Sequence, residues 1–155
     1  MESEKWKVEC GSWMLEVGGW KLEVKESIIK ILKMIQSYKD LEVHKMSFAL
    51  AMEIFWVTRK FPKEEVYSLT SQIVRSSRSV SANISEGWAK RVYEGVFKQH
   101  LIHSLGSNSE TEDWLNYASE CGYLTKASHN ELIEKNNSVG RMLTKLHQNW
   151  KSYEK

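Results

Sequence analysis

At 155 residues the chain has the length of one ordinary domain, enough to bury a single sizeable core. Its 22 basic and 20 acidic residues leave a formal net charge of +2, a balance that by itself does not suggest a strongly nucleic-acid-binding protein. One proline, Pro62, and glycines that are sparse after residue 20 suit long helices better than a turn-rich β fold. Cys10 and Cys121 are too few and too far apart for a disulfide framework or a metal knuckle. No charged start leads into an apolar run, so no signal peptide is expected, and no apolar run of about 18 residues could span a membrane. The expectation is a cytoplasmic protein with reduced thiols.

Residues 1–37 read as an extension with a character of its own. Trp6, Trp13 and Trp20 recur every seven residues, with Gly11-Ser12 and Gly18-Gly19 between the units. Apolar residues alternate inside a unit, as in Trp13, Leu15, Val17 and then Trp20, Leu22, Val24. Alternation with a Gly-Gly break is a β-hairpin signal, although strands this short are marginal alone in water. The extension is therefore expected to be disordered or a β-hairpin. It reads either as a Trp-bearing binding arm or as a duplicated tract preceding an original start near Met34.

Residues 38–155 carry helical spacing. After a short pattern at Ile28, Ile31, Leu32 and Ile35, Asp40 is placed to cap a first helix running to about residue 60. Phe61-Pro62 ends it, because the residue before a proline is pushed out of the α region. Pro62 suits the first turn of a second helix, with Glu64 and Glu65 at its positive end, running to about residue 89. That helix has a lean apolar stripe (Leu69, Ile73, Val80, Ile84, Trp88) in which Ser76 and Ser77 are small enough for a neighbour to approach closely. A third helix covers about residues 93–120 and ends at Cys121-Gly122, the glycine supplying a left-handed cap. Thr125 caps a fourth, whose stripe runs through Leu132, Val139, Leu143, Leu146 and Trp150. Four long helices with short links predict an all-α, antiparallel up-down-up-down four-helix bundle.

The first helix has more apolar surface than one bundle uses. Leu41, Phe48, Met52, Phe55 and Trp56 fall on one side; Val43, Met46, Leu50, Ile54 and Val57 fall on the other. A helix apolar on two faces covers both, which predicts a homo-oligomer, with Val43, Leu50, Ile54 and Val57 taken as its contact stripe. Charge is partitioned as well. Residues 92–122 hold one basic residue, Lys98, against Glu94, Glu110, Glu112, Asp113 and Glu120, so the acidic third helix can set register against its basic neighbours. Left over is an outward group on the second helix, Arg75 and Arg78, with Lys90 and Arg91 at its end. Repeated around an oligomer, these could hold phosphates.

Tyr38 through Val43, Phe61 through Glu65, and Leu69-Thr70-Ser71-Gln72 with Arg75 resemble the 23S rRNA intervening-sequence proteins, also labelled the S23 ribosomal protein family. Asn83-Ile84-Ser85-Glu86-Gly87 matches that family's Asn-Ile-x-Glu-Gly signature. Leu105-Gly106-Ser107 with Glu110 matches its third-helix motif, and Cys121 through Leu124 the turn that follows. The resemblance spans about residues 38–150 and implies a homo-oligomeric four-helix bundle, typically a pentamer. Relatives include the accessory variability determinant proteins of diversity-generating retroelements, which implies RNA or a reverse transcriptase as partners. Ala82, where the family commonly has proline, Ser104 and His103 depart from its pattern.

Catalysis has little support in the residues. His100 and His103 are spaced i, i+3, but no His-Glu-x-x-His motif, phosphate loop or nucleophile elbow accompanies them, so no catalytic residue, metal or cofactor is expected. Asn83 lies at the edge of the buried stripe, where its amide could bond across helices, and Glu86-Gly87 could meet the third helix or its linker. Asn83, Glu86, Gly87, Gly106 and Glu110 are therefore taken as structural. Two function classes result: an RNA-associated accessory oligomer, and a protein-interaction scaffold that binds no nucleic acid.

Overall fold

The computed structural model describes residues 35–152 in full and, before them, the backbone of three strands; it divides into two units, Met1–Gln36 and Ser37–Lys155. In the first unit β1 (Lys5–Glu9), β2 (Ser12–Val17) and β3 (Trp20–Val24) form an antiparallel sheet in the order β1-β2-β3. The register sets Trp6 opposite Leu15, Trp13 opposite Val24 and Val17 opposite Trp20. The helical pattern at Ile28, Ile31 and Leu32 lies outside the described residues.

The second unit is an all-α bundle of α1 (Glu42–Thr58), α2 (Leu69–Ala89), α3 (Glu94–Glu120) and α4 (Lys126–Asn149). Short links force successive helices to run antiparallel, and the ring closes because α1 packs on both α2 and α4, as α3 does. Local chemistry sets the boundaries. Asp40 does not cap α1: its carboxylate accepts from the Ser37 amide at 2.8 Å while the Ser37 hydroxyl accepts from Lys39, a reciprocal box around the short 3₁₀ turn Tyr38–Asp40. Leu41, with no side-chain cap, then leads into α1. The second helix starts later than Pro62 suggests, at Leu69, because Lys63–Glu65 is a separate 3₁₀ turn. Glu65 joins three segments there. It accepts from the Ser68 hydroxyl, from the Leu69 amide at 3.3 Å, and from the Tyr123 hydroxyl at 3.1 Å. These bonds, that of Ser68 foremost, hold its carboxyl below the usual carboxylate range. At the other end of α3, Gly122 adopts φ +75° and the Tyr123 amide reaches back to the Ala118 carbonyl, so glycine closes the helix as its sequence position predicts. The Thr125 hydroxyl accepts from the Ser128 amide and opens α4.

The core draws on one stripe from each helix: Val43, Leu50 and Ile54 of α1; Ile73, Val80 and Ile84 of α2; Phe97, Leu101 and Leu115 of α3; Leu132, Val139 and Leu143 of α4. One end is closed by aromatics. Phe97 lies 4.6 Å from Trp150 and 6.3 Å from Trp88 between ring centroids, in edge-on arrangements that favour ring pairs.

This packing overturns the predicted contact stripe. Val43, Leu50 and Ile54 are 4%, 5% and 1% exposed, and Val57 packs partly buried against the same core. The face left outside carries Phe48, Met52, Phe55 and Trp56. Periodicity marks two apolar faces on α1, and only the helices beside it decide which one turns inward.

Between α2 and α3 the core is a seam of small polar residues. Ser76, Ser77, Ser81, Ser104 and Thr111 are buried. Thr111 hydrogen-bonds to Ser76 at 3.0 Å, Ser104 donates to the Val80 carbonyl at 3.0 Å, and Ser107 to Ser79 at 3.0 Å. Small side chains let the backbones close up, and each hydroxyl finds an acceptor, so burial does not strand it. Across α3 and α4, Asn108 and Asn136 are joined reciprocally: each side-chain amide donates to the other's backbone carbonyl, at 3.2 and 3.1 Å.

Gly87 has a steric reason in this seam. A Cβ there would stand 2.6 Å from the Cβ of His100 and 3.0 Å from Phe97 Cδ2. Alanine would favour the helix by roughly 1 kcal/mol, yet overpacking against α3 outweighs that. Gly87→Ala is expected to lose about 1–3 kcal/mol in urea unfolding, and unchanged or raised stability would refute the close approach.

Candidate functional site

The basic group of α2 does not form one patch. An α-helix rises about 1.5 Å per residue, so Arg78 and Lys90 stand roughly 18 Å apart along its axis. Each of the four cations also has a neighbour within the protomer. Arg75 donates to Gln72 at 3.1 Å and stands 3.6 Å from Glu110, with 73% of its side chain exposed. Arg78 lies over the Phe55 ring, 5.1 Å from its centroid. Lys90 donates to Glu86 at 2.8 Å and lies 3.1 Å from His100 Nε2. Arg91 covers Trp88 at 4.5 Å and donates to its carbonyl at 3.0 Å. Exposed pairs of this kind are worth about 0–1 kcal/mol, weak enough for a phosphate to displace them. The site is therefore two cation pairs, one near the middle of α2 and one at its end.

The motif residues are placed differently from one another. Glu86 holds the end of α2 through Lys90, whose hydrogen bond keeps the carboxyl below the usual carboxylate range, and it stands 3.9 Å from His100 Nε2. Glu110 meets Arg75 from α3 and also accepts from Trp114 Nε1 at 3.3 Å. Asn83 does not bond across helices. Its amide donates within α2, to the Ser79 carbonyl at 2.9 Å and the Ser79 hydroxyl at 3.1 Å. Both acceptors belong to Ser79, one turn back on the same helix. Gly106 faces open space, with nothing within 4 Å of a Cβ built on it. Among the described residues no group of three or more His, Cys, Asp or Glu side chains could hold a metal ion. No helix among them is long and apolar enough to cross a membrane.

The outer face of α1 is the second of the two apolar stripes on that helix. Phe48 is 57% exposed and Trp56 61%. His44 stacks near Phe48, and Phe55 meets Trp56 edge-on at 5.2 Å, so two aromatic pairs lie on α1 about two turns apart. Arg59 and Arg78 stand over Phe55 from two directions, at 6.0 and 5.1 Å. A cluster of large exposed apolar side chains rimmed by polar groups is the usual form of a contact surface.

The fold defines the class first: an antiparallel four-helix bundle whose second helix carries the Asn-Ile-x-Glu-Gly sequence. The profile of the 23S rRNA-intervening sequence protein family matches residues 39–145, and the chain belongs to that family. Among solved structures it is similar to a protein of unknown function from the S23 ribosomal protein family of Bacteroides thetaiotaomicron VPI-5482, with TM-score 0.64 and 23% identity over 69% of this chain and 96% of that one. At that identity the likeness carries the fold alone. No curated protein matches the chain.

Proposed function

We propose that the protein is a non-enzymatic, cytoplasmic homo-oligomer that works as an interaction bundle, assembling through the outer face of α1. The exposed Phe48 and Trp56, with Met52 and Phe55 between them, carry this reading. Burying such side chains is worth about 1.5–3 kcal/mol each, and a second copy of the chain supplies a cover wherever the protein is concentrated enough to meet itself. A closed ring of five is the assembly that the family resemblance implies. Light scattering at micromolar concentration tests the reading: the mass is expected to be a multiple of the 18.1 kDa protomer, and a monomer would refute it.

A second reading makes the oligomer an accessory to RNA, or to a reverse transcriptase acting on it. The exposure of Arg75 favours this, since its weak pairing with Glu110 leaves the guanidinium available to a phosphate. Arg78, Lys90 and Arg91 would then add contacts from every copy.

A further inference from the structure

A cleft of about 620 Å³ opens between α3 and α4. Its deeper part is Leu105, Asn108 and Gly140, all buried or half-buried, and its rim is exposed polar side chains. Gly140 lets the Asn108 side chain come close to α4, since a Cβ there would stand 3.1 Å from the Asn108 amide nitrogen. The cleft is shallow and largely open to solvent.

The electrostatics are one-sided. No carboxylate lines the cleft, whereas Arg141 and Lys145 both do. They are spaced i, i+4 on α4 and so project together. Among the described residues neither is ion-paired: Arg141 donates only to the Ser138 hydroxyl, at 2.8 Å, and Lys145 has no polar partner. The contrast with α2 decides the matter. There Arg75 and Lys90 face carboxylates, while Arg78 and Arg91 lie on rings; here two free cations stand beside a concave surface. A guanidinium presents paired donors to phosphate oxygens, and an ammonium one turn away adds a second positive point. Asn137 and Gln148 contribute amide donors on the same rim, and Leu105 gives the cleft an apolar floor.

We propose that this cleft is a binding site for a phosphate-bearing ligand of nucleotide size, its phosphates held by Arg141 and Lys145 and its apolar part resting on Leu105. The site lies away from the outer face of α1, so it stands or falls separately from the assembly reading.

Calorimetry at low ionic strength tests it with three probes: inorganic pyrophosphate, ADP and a single-stranded uridine ten-mer. The first two stand for free phosphates and nucleotides, the third for the same chemistry on a nucleic-acid strand. Binding of at least one is expected, weakened about tenfold or more by Arg141→Gln with Lys145→Gln, since each cation removed deletes charge-assisted hydrogen bonds. Ser109→Phe, which fills the cleft without altering charge, is expected to weaken it as much. Lys60→Gln with Lys63→Gln, the same loss of charge on an exposed loop, should leave it unchanged, and circular dichroism checks that every variant is folded. Phe48→Glu with Trp56→Glu should still bind, whatever its oligomeric state. Absence of binding to all three probes, or equal weakening by the two paired charge removals, would overturn the site.

Discussion

Replacing Phe97 by alanine is expected to cost about 3–5 kcal/mol in urea unfolding at a fixed protein concentration. Phe97 is 0% exposed and holds together the aromatic end of the bundle, between Trp88 on α2 and Trp150 beyond α4. Truncation removes the buried ring and leaves a hole that two large tryptophans cannot close without moving off their helices. A domain of this size commonly has a total stability of about 5–15 kcal/mol, so the variant should sit near the edge of folding. The transition midpoint should fall while its slope stays the same, which separates lost packing from a changed unfolded state. A loss below about 1 kcal/mol would mean that this end of the bundle is not closed as described.

Asn136→Asp should be nearly as damaging at neutral pH and much less so in acid. Asn136 is 0% exposed, and its amide donates to the Asn108 carbonyl at 3.1 Å. A carboxylate turns that contact into oxygen facing oxygen and buries a charge, so the folded state strongly favours the protonated acid. Burial raises such carboxyls by up to about 3–5 pK units, and one unit is about 1.4 kcal/mol, so a loss of about 4 kcal/mol at pH 7 is expected. The sign follows from linkage. A group whose folded pKa is raised contributes stability below its unfolded value, and that contribution is lost as pH rises through the folded value. The protonated acid can donate as the amide did, so stability should recover as pH falls toward about 4. Equal stability at the two pH values would show that position 136 is open to water.

The sequence made the ends of α3 and α4 legible because their signals are local. Gly122 supplies a positive φ and Thr125 a side-chain oxygen, and neither depends on anything distant in the chain. Asp40 does not cap α1 because Ser37 opens a 3₁₀ turn just before it and takes the carboxylate into its own reciprocal box. The inner face of α1 could not be read at all. Both stripes are apolar, and the choice rests on how α2 and α4 flank it. Asn83, at the edge of the buried stripe, is placed where its amide could bond across helices, and it donates instead to the Ser79 carbonyl on its own helix. The serines at 76 and 77 did announce a close approach, but their hydrogen-bonding partners at Thr111 and on the backbone of α2 lie outside any local pattern. The cations of α2 drew attention because they stand close in sequence. Arg141 and Lys145 carry no such signal, because what distinguishes them is a cleft between α3 and α4 whose lining holds no carboxylate.

Assembly through the outer face of α1 is tested most directly by light scattering of Phe48→Glu with Trp56→Glu beside the wild type, with circular dichroism on both samples. Neither side chain belongs to the core, so the double variant is expected to keep its helical content and to run as the 18.1 kDa protomer. A variant that stays folded and keeps the oligomeric mass of the wild type would contradict the account.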